Sequence, residues 1–185
     1  MSIYLVRHCS ATGQEPDAAL TDEGREQSLH LSSFLVQRDI VRIVSSPFKR
    51  AVDSARPLSE KLGLPIEIDE RLAERQLGVV DNGDWLSALH LSFREPNLCL
   101  PGGESSLVAQ LQGVAVIEDI FREAQLPTAV FSHGNLLTLI ANSIDQALGF
   151  DFSRGLSNPD VFEISRTSAK KPSPHRERGL KRNES

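Results

Sequence analysis

Ser2-Ile3-Tyr4-Leu5-Val6 is a short apolar run that stops abruptly at Arg7-His8-Cys9-Ser10. The run predicts a buried strand. In open α/β sheets, ligands bind just beyond the carboxyl ends of strands. An arginine and a histidine at that point read as a site: His8 as a nucleophile, Arg7 beside it holding an anion.

Working outward, Ser10 to Ala19 is polar, with Gly13 and Pro16, and reads as a loop. Leu20-Thr21-Asp22-Glu23-Gly24 opens a helix: Thr21 suits the N-cap, and Asp22 and Glu23 favour the positive end of the helix dipole. Its apolar face is expected at Leu29, Leu31, Phe34 and Leu35, up to Val36. Asp39 to Ser45 is β-branched and strand-like. Ser46-Pro47 reads as the opening of a helix that runs through Phe48, Ala51, Ala55 and Leu58 toward Leu62. Gly63 is its expected stop, and Pro57 a kink or an early end. Pro65 to Asp69 reads as a third strand.

Glu70 to Asp84 is irregular, and a short helix is expected over Trp85 to Arg94. Pro96 and Pro101-Gly102-Gly103 mark a long connection of the kind that carries function. Glu104 to Gln125 reads as a helix with Leu107, Leu111, Val114, Ile117 and Phe121 along one face, ended by Pro127. Thr128 to Phe131 is the next strand, Ser132-His133-Gly134-Asn135 the turn after it, and Leu136 to Leu148 an apolar helix stopped by Gly149. Pro159 to Ser165 looks like a last strand. Strands alternating with helices through short links argue for a parallel α/β sheet.

The chain of 185 residues is 39% hydrophobic and 24% charged, as expected of one globular domain. The reading places that domain at residues 1–165. From Ser165 onward seven Lys or Arg stand against two Glu, so the net charge of -5 hides a body of -10 and a basic tail. The tail, 166–185, is too polar to order itself and reads as flexible. The charge gives no sign of a nucleic-acid partner, and an acidic body leaves any phosphate site dependent on local arginines. Two unpaired cysteines fit a reducing compartment. No segment reaches the ~20 apolar residues of a membrane span, and no basic leader precedes the first strand. The expectation is a cytoplasmic protein without a membrane partner.

His8 and His133 each follow a strand. Arg7 accompanies the first, and Arg50 lies one turn into the helix after Ser45-Ser46-Pro47. Taken singly, each has an ordinary structural or surface reading. Jointly, two arginines and two histidines at one sheet edge call for an anion, and phosphate suits the guanidinium fork.

The ordered motifs resemble those of the histidine phosphatase superfamily, in its phosphoglycerate-mutase-like branch (branch 1). They are Arg7-His8, Leu20 to Gln27, Ser45-Ser46-Pro47-Phe48-Lys49-Arg50-Ala51, Leu72-Ala73-Glu74-Arg75, Pro101-Gly102-Gly103-Glu104-Ser105 and Ser132-His133-Gly134-Asn135. The resemblance runs from Ile3 to Ile164. It implies a phosphoglycerate-mutase-like three-layer α/β/α sandwich with a mostly parallel sheet. It further implies His8 as the nucleophile that takes the phosphoryl group, Arg7, Arg50 and His133 as holders of its oxygens, and Glu74 as general acid. Two guanidinium groups near His8 are expected to lower its pKa, and a backbone carbonyl to orient its second ring nitrogen. No metal or cofactor is implied, and no metal-ligand spacing appears.

Cys9 stands where the family usually has glycine, so a Cβ and thiol are expected to bear on the phosphate or on His8. A nucleophilic role for Cys9 itself is a minor alternative. Val80-Asp81-Asn82 departs from the family's aromatic-acidic-glycine stretch. Glu104 competes as an acid, against its plainer reading as a first-turn carboxylate. The short interval from Glu74 to Pro101 should admit water and favour hydrolysis over transfer. Within it, Trp85, Leu86, Leu89 and Phe93 read either as an apolar substrate wall or as the packing face of a small helix. The sequence thus points to a histidine acid phosphatase-type phosphomonoesterase acting on a small phosphorylated molecule, with a phosphoprotein substrate left open. Phosphoglycerate-mutase-type transfer and a non-catalytic phosphate-binding regulator are the alternatives.

Overall fold

In the computed structural model, the residues described are 2–80, 83–124 and 127–165. The expectations for the tail at 166–185 and for Asp81 and Asn82 lie outside them.

Five strands form one mixed sheet in the order β3-β2-β4-β1-β5. They are β1 (Ser2–Arg7), β2 (Arg42–Ser45), β3 (Ile66–Ile68), β4 (Thr128–Ser132) and β5 (Asp160–Ser165). β4 pairs in parallel with both β1 and β2, and β2 in parallel with β3. Only β5 runs antiparallel, against β1. The parallel strands β1, β2 and β4 therefore end on the same side, which is what brings their following turns together.

Period-two alternation divides the core. Ile3 and Leu5 of β1, with Val44 and Val130, pack on one face against α4 (Ser106–Glu123) and α5 (Gly134–Ile144). Tyr4 and Val6, with Ile43, Ala129 and Phe131, pack on the other against α1 (Asp22–Leu35) and α2 (Lys49–Leu62). Both faces are covered over the central strands, so the middles of β1 and β4 are continuously apolar, as buried parallel strands are. The layers are helix, sheet, helix. Two short α-helices complete the described residues: α3 (Trp85–Arg94) and α6 (Phe150–Arg154).

The local signals that set helix ends held where a specific atom is involved. Thr21 accepts the Gly24 N–H at 2.9 Å, and Gly63 closes α2 in the left-handed region at φ 65°. Pro57 lies inside α2, which continues past it to Leu62.

Several boundaries and faces differ from the sequence reading. β2 begins at Arg42 because Asp39 turns left-handed (φ 52°) after a 3₁₀ turn. α2 begins at Lys49 rather than at Pro47, and α5 begins at Gly134 and ends at Ile144, with α6 beyond it. Glu104 lies outside α4: Ser105 is the N-cap, accepting the Val108 N–H at 3.2 Å. The buried stripe of α4 is Ala109, Gly113, Val116, Ile117 and Ile120, so Leu107 and Leu111 face outward. Small residues take the buried side because α5 is close; a Cβ at Gly113 would stand 2.8 Å from Ile140. Leu29 likewise faces out of α1, where Ser28, Leu31 and Ser32 are buried.

Candidate active site

His8 follows β1 directly and is nearly buried. Its backbone N–H donates to Ser132 O at 3.0 Å, tying it to the end of β4. Its ring Nδ1 lies 2.7 Å from Cys9 O, and its Nε2 accepts the Arg50 Nε–H at 3.2 Å. A carbonyl can only accept, so Nδ1 carries the proton and Nε2 presents a lone pair. Burial pushes the His8 pKa down to about 4, with Arg50 and Arg7 adding to it and the Cys9 carbonyl opposing. The expected direction is found, but burial is a larger cause than the two arginines.

Arg50 comes from the first turn of α2 and is fully buried. Besides His8, it donates through Nη1 to the carbonyls of Gln14 and Glu15 at 3.0 and 2.9 Å. Its guanidinium also lies 4.9 Å from the Phe48 ring centroid. No carboxylate of the described residues pairs with it, so its charge is left for a ligand.

His133 follows β4 and is the N-cap residue of α5. Its ring lies 5.2 Å from that of His8, and its Nε2 is 2.7 Å from Ser46 Oγ. Ser46 Oγ already accepts the Phe48 N–H at 3.2 Å. Its own proton can therefore go to Nε2, leaving the proton of His133 on Nδ1, a buried atom without a partner. Burial first, then His8, Arg50 and Arg7, holds the His133 pKa well below its ordinary value. Arg7 donates through Nη1 to Leu156 O at 2.9 Å, while its buried Nε is also unpartnered. It lies flat on Gly134, where a Cβ would stand 3.1 Å from the guanidinium carbon.

Glu74 is carried in by the segment after β3. Leu72 is buried, and its carbonyl accepts the Ser132 hydroxyl at 2.8 Å, which fixes Glu74 beside the end of β4. The Glu74 carboxylate sits on the amino end of α5, accepting N–H groups from Leu136 (3.0 Å), Asn135 (3.2 Å) and Arg75 (3.1 Å). Burial nevertheless raises its pKa against those three donors and Arg7. A carboxyl whose pKa is raised by burial is better suited to donate a proton.

A cavity of about 650 Å³ opens beside this cluster. Arg7, Glu74, Gly134 and Asn135 form one end, and Leu77, Trp85, Leu86 and Leu89 stand in its wall. The short helix is divided: Phe93 packs inward against the core and Phe150, while Trp85, Leu86 and Leu89 line the cavity.

Two residues fall away from the chemistry. Glu104 bridges loops instead: it accepts the Gln76 N–H at 3.3 Å and donates its own N–H to Gln76 O at 2.9 Å. Its position ahead of α4 corrects the first-turn reading. Cys9 is fully buried within the α1–α2 core cluster, and burial pushes its thiol up to about 11. A neutral, buried thiol is not a nucleophile. The side chain packs into that core, and the backbone N–H of Cys9 is held by Ser54 Oγ at 2.9 Å.

Three contributors were not assigned from the sequence. Asn158 donates to His8 O at 2.8 Å across 150 residues of chain, Ser46 orients His133, and both polar atoms of the Asn135 side chain are buried and unpartnered at the cavity. Ser46 and Asn135 lie within quoted motifs, but only Asn158's place beside β1 in space reveals it.

A family model described as the histidine phosphatase superfamily (branch 1) matches residues 3–171. Among curated relatives, glucosyl-3-phosphoglycerate phosphatase of Mycolicibacterium vanbaalenii is 28% identical over 69% of this chain. The match spans 64% of that relative's length, a little under two thirds. A probable phosphoglycerate mutase of Erwinia tasmaniensis is 25% identical over 78% of this chain and 74% of its own. Among solved structures, a mycobacterial glucosyl-3-phosphoglycerate phosphatase with inorganic phosphate superposes at TM-score 0.73, with 24% identity and 89% of each chain covered. A phosphoserine phosphatase mutant of Entamoeba histolytica with phosphoserine superposes at 0.72, with 20% identity and 93% of each chain covered. At those identities the structural likeness speaks for the fold.

Proposed function

The chain belongs to the histidine phosphatase superfamily, branch 1, and on that premise we propose that it hydrolyses phosphomonoesters through a phosphohistidine on His8. The observation that carries the reading is the state of the His8 ring. Nδ1–H is spent on the Cys9 carbonyl, Nε2 has a lone pair, and an imidazole at about 4 is neutral at working pH.

In the proposed first step Nε2 attacks phosphorus and the phosphorus–oxygen ester bond breaks. Glu74, as the neutral acid, gives its proton to the departing oxygen, so an alcohol leaves. The ring, now carrying a phosphoryl group and the Nδ1 proton, is stabilised by the Cys9 carbonyl. Arg7, Arg50 and the His133 Nδ1–H hold the equatorial oxygens, where charge spreads in the transition state. Arg50 exchanges its bond to Nε2 for one to a phosphoryl oxygen. In the second step water attacks phosphorus, its proton returns to Glu74, and the Nε2–phosphorus bond breaks to release inorganic phosphate. The cycle requires His8 neutral and Glu74 protonated. Burial lowers His8 to about 4 and raises Glu74, which widens the overlap of those two states above about 4 and supports the finer, acid-phosphatase-type form of the proposal.

Hydrolysis is favoured over mutase-type transfer because the described residues between Glu74 and Pro101 hold one short helix, with Trp85 60% exposed. Water reaches such a site. The proposed catalytic domain spans 1–165, the basic tail lies beyond it, and the substrate is a small phosphorylated molecule. The test is p-nitrophenyl phosphate turnover in EDTA, wild type against His8→Ala, with a phosphoglycerate isomerisation assay in parallel. Turnover lost in the variant supports the proposal. An inert wild type supports the non-catalytic phosphate binder, and isomerisation without phosphate release supports the mutase.

A further inference from the structure

Arg7 and Glu74 of the phosphate cluster stand in the lining of a cavity far larger than a phosphate. At about 650 Å³ it falls within the ~300–1,000 Å³ of ordinary small-molecule sites. The remainder must take the alcohol portion of the ester, and its chemistry is uneven. Leu77, Trp85, Leu86 and Leu89 supply the wall, with Trp85 60% and Leu86 39% exposed. Large apolar side chains left in water on one side of a helix mark a binding surface. They are held in place from behind: Phe150 of α6 stacks on His90 of α3 at 4.5 Å and meets Phe93 at 6.3 Å. Besides Arg7 and Glu74, the cavity's polar lining is Gln14, Arg75, Asn135, Ser153 and Arg154, and Arg75 is already spent on Glu104 O and Ser92 Oγ. A polyhydroxylated alcohol laid along this wall would bury hydroxyls against Leu and Trp without partners, which is costly. A flat apolar group would lose only water.

Resting on the phosphomonoesterase reading, we infer that the substrate's alcohol portion is a bulky apolar group of aromatic size, seated against Trp85, Leu86 and Leu89. Specificity then comes from apolar burial beside the leaving oxygen, not from a hydroxyl-binding array.

Benzyl phosphate and β-glycerophosphate test this, because both release an alkoxide of similar basicity and so differ mainly in the fit of the alcohol. The wild-type chain should show a kcat/KM at least ~10-fold higher for benzyl phosphate, the discrimination that modest apolar differences supply. Trp85→Ser and Leu89→Asn should each bring the ratio close to unity. Equal or greater kcat/KM for β-glycerophosphate or phosphoserine, or a ratio unmoved by both substitutions, would overturn the inference while leaving the phosphatase intact. A binding arm separates the two claims. Trp85 is the only tryptophan of the chain, so its emission reports the wall without any turnover. Benzylphosphonate should shift that emission to the blue and bind at least ~10-fold more tightly than methylphosphonate. Equal affinities with unchanged emission would refute the apolar seat even if every ester is hydrolysed. Tight benzylphosphonate binding in a protein that hydrolyses nothing would overturn the phosphatase reading alone.

Discussion

Arg50 Nε donates to His8 Nε2 at 3.2 Å, so a fully buried guanidinium is bonded to the lone pair of the proposed nucleophile. The arrangement holds the ring in one tautomer and keeps it from protonating. Arg50 is itself fixed by the Gln14 and Glu15 carbonyls and has no carboxylate partner among the described residues. Lysine can supply charge there but not the planar fork that reaches His8 and two carbonyls at once. Arg50→Lys should therefore lower kcat/KM for p-nitrophenyl phosphate by ~100-fold, an effect typical of a lost oxyanion donor. Steady-state kinetics of the folded variant, with circular dichroism as the folding control, measure it.

The low His8 pKa has a stability consequence. His8 titrates at about 4 in the folded chain against 6.5 ordinarily. Between those values the unfolded chain binds a proton that the native chain does not. Stability therefore rises with pH across that window, and falls as pH drops through it. The shift corresponds to roughly 3 kcal/mol. His133 acts in the same sense. His8→Asn should thus take up about one proton fewer on unfolding in that window. Urea unfolding of both proteins at several pH values gives the difference in slope. Equal slopes would mean that His8 is not held neutral by the fold.

The two cysteines should behave differently. Cys9 is buried with its thiol pushed up to about 11, whereas Cys99 is exposed. Ellman's reagent should therefore count one thiol in the native protein and two after denaturation. Cys9→Gly removes buried Cβ and Sγ atoms but keeps the backbone N–H to Ser54 and the carbonyl to His8. It should destabilise by ~1–2 kcal/mol, from cavity and backbone entropy. Activity should stay within about threefold, since the proposed chemistry uses only the backbone of this residue. A large loss of activity would show that the thiol matters to the phosphate after all.

Much of this architecture was legible because it rests on local signals. The continuous apolar run of β1, the Thr21 cap and Gly63 all act within one turn or one strand. Strand-end positions placed His8, Arg50 and His133 near one another because parallel strands share a carboxyl edge. The stripe of α4 was misread since apolarity marks burial poorly where a neighbour approaches closely. Gly113 and Ala109 take the inside for lack of room, and Leu107 and Leu111 are left outside. Glu104 was placed by helix logic, but Ser105 is the better N-cap and displaced the helix start by two residues. Asn158 could not have been found, because its partner lies 150 residues away.

Glu74 gives the sharpest test of proton donation. Its carboxylate accepts three backbone N–H groups, so Glu74→Gln preserves the shape while turning an amide NH₂ toward some of those donors. More decisively, it removes the transferable proton. Hydrolysis of an alkyl ester, whose leaving oxygen must be protonated, should fall by ~100-fold or more. p-Nitrophenyl phosphate, with a leaving group stable as an anion, should suffer much less in formation of the phosphohistidine. The ratio of the two kcat/KM losses is the measurement. Equal losses would mean that Glu74 only supports the amino end of α5.

Asn158 poses the question of how the nucleophile keeps its orientation. Its amide donates to the His8 carbonyl at 2.8 Å and passes 3.4 Å from ring Nδ1. The same loop supplies the Leu156 carbonyl to Arg7. Asn158 touches no proposed reacting atom, so it is a positioning residue. With Asn158→Ala the His8 carbonyl loses a donor, and the ring is left to be aligned by Nδ1–H on Cys9 O and by Arg50 at Nε2. Misalignment of a nucleophile raises the barrier without weakening the hold of Arg7 and Arg50 on phosphate. The expected result is a ~10-fold fall in kcat with vanadate or inorganic phosphate inhibition nearly unchanged. A purely structural loss would lower the melting temperature and weaken inhibition together. Asn158→Asp sharpens the distinction, because a carboxylate beside the ring favours imidazolium. The acid limb of kcat/KM should then move to higher pH, toward the ordinary histidine range. An acid limb unmoved by that charge would place Asn158 outside the electrostatic surroundings of His8.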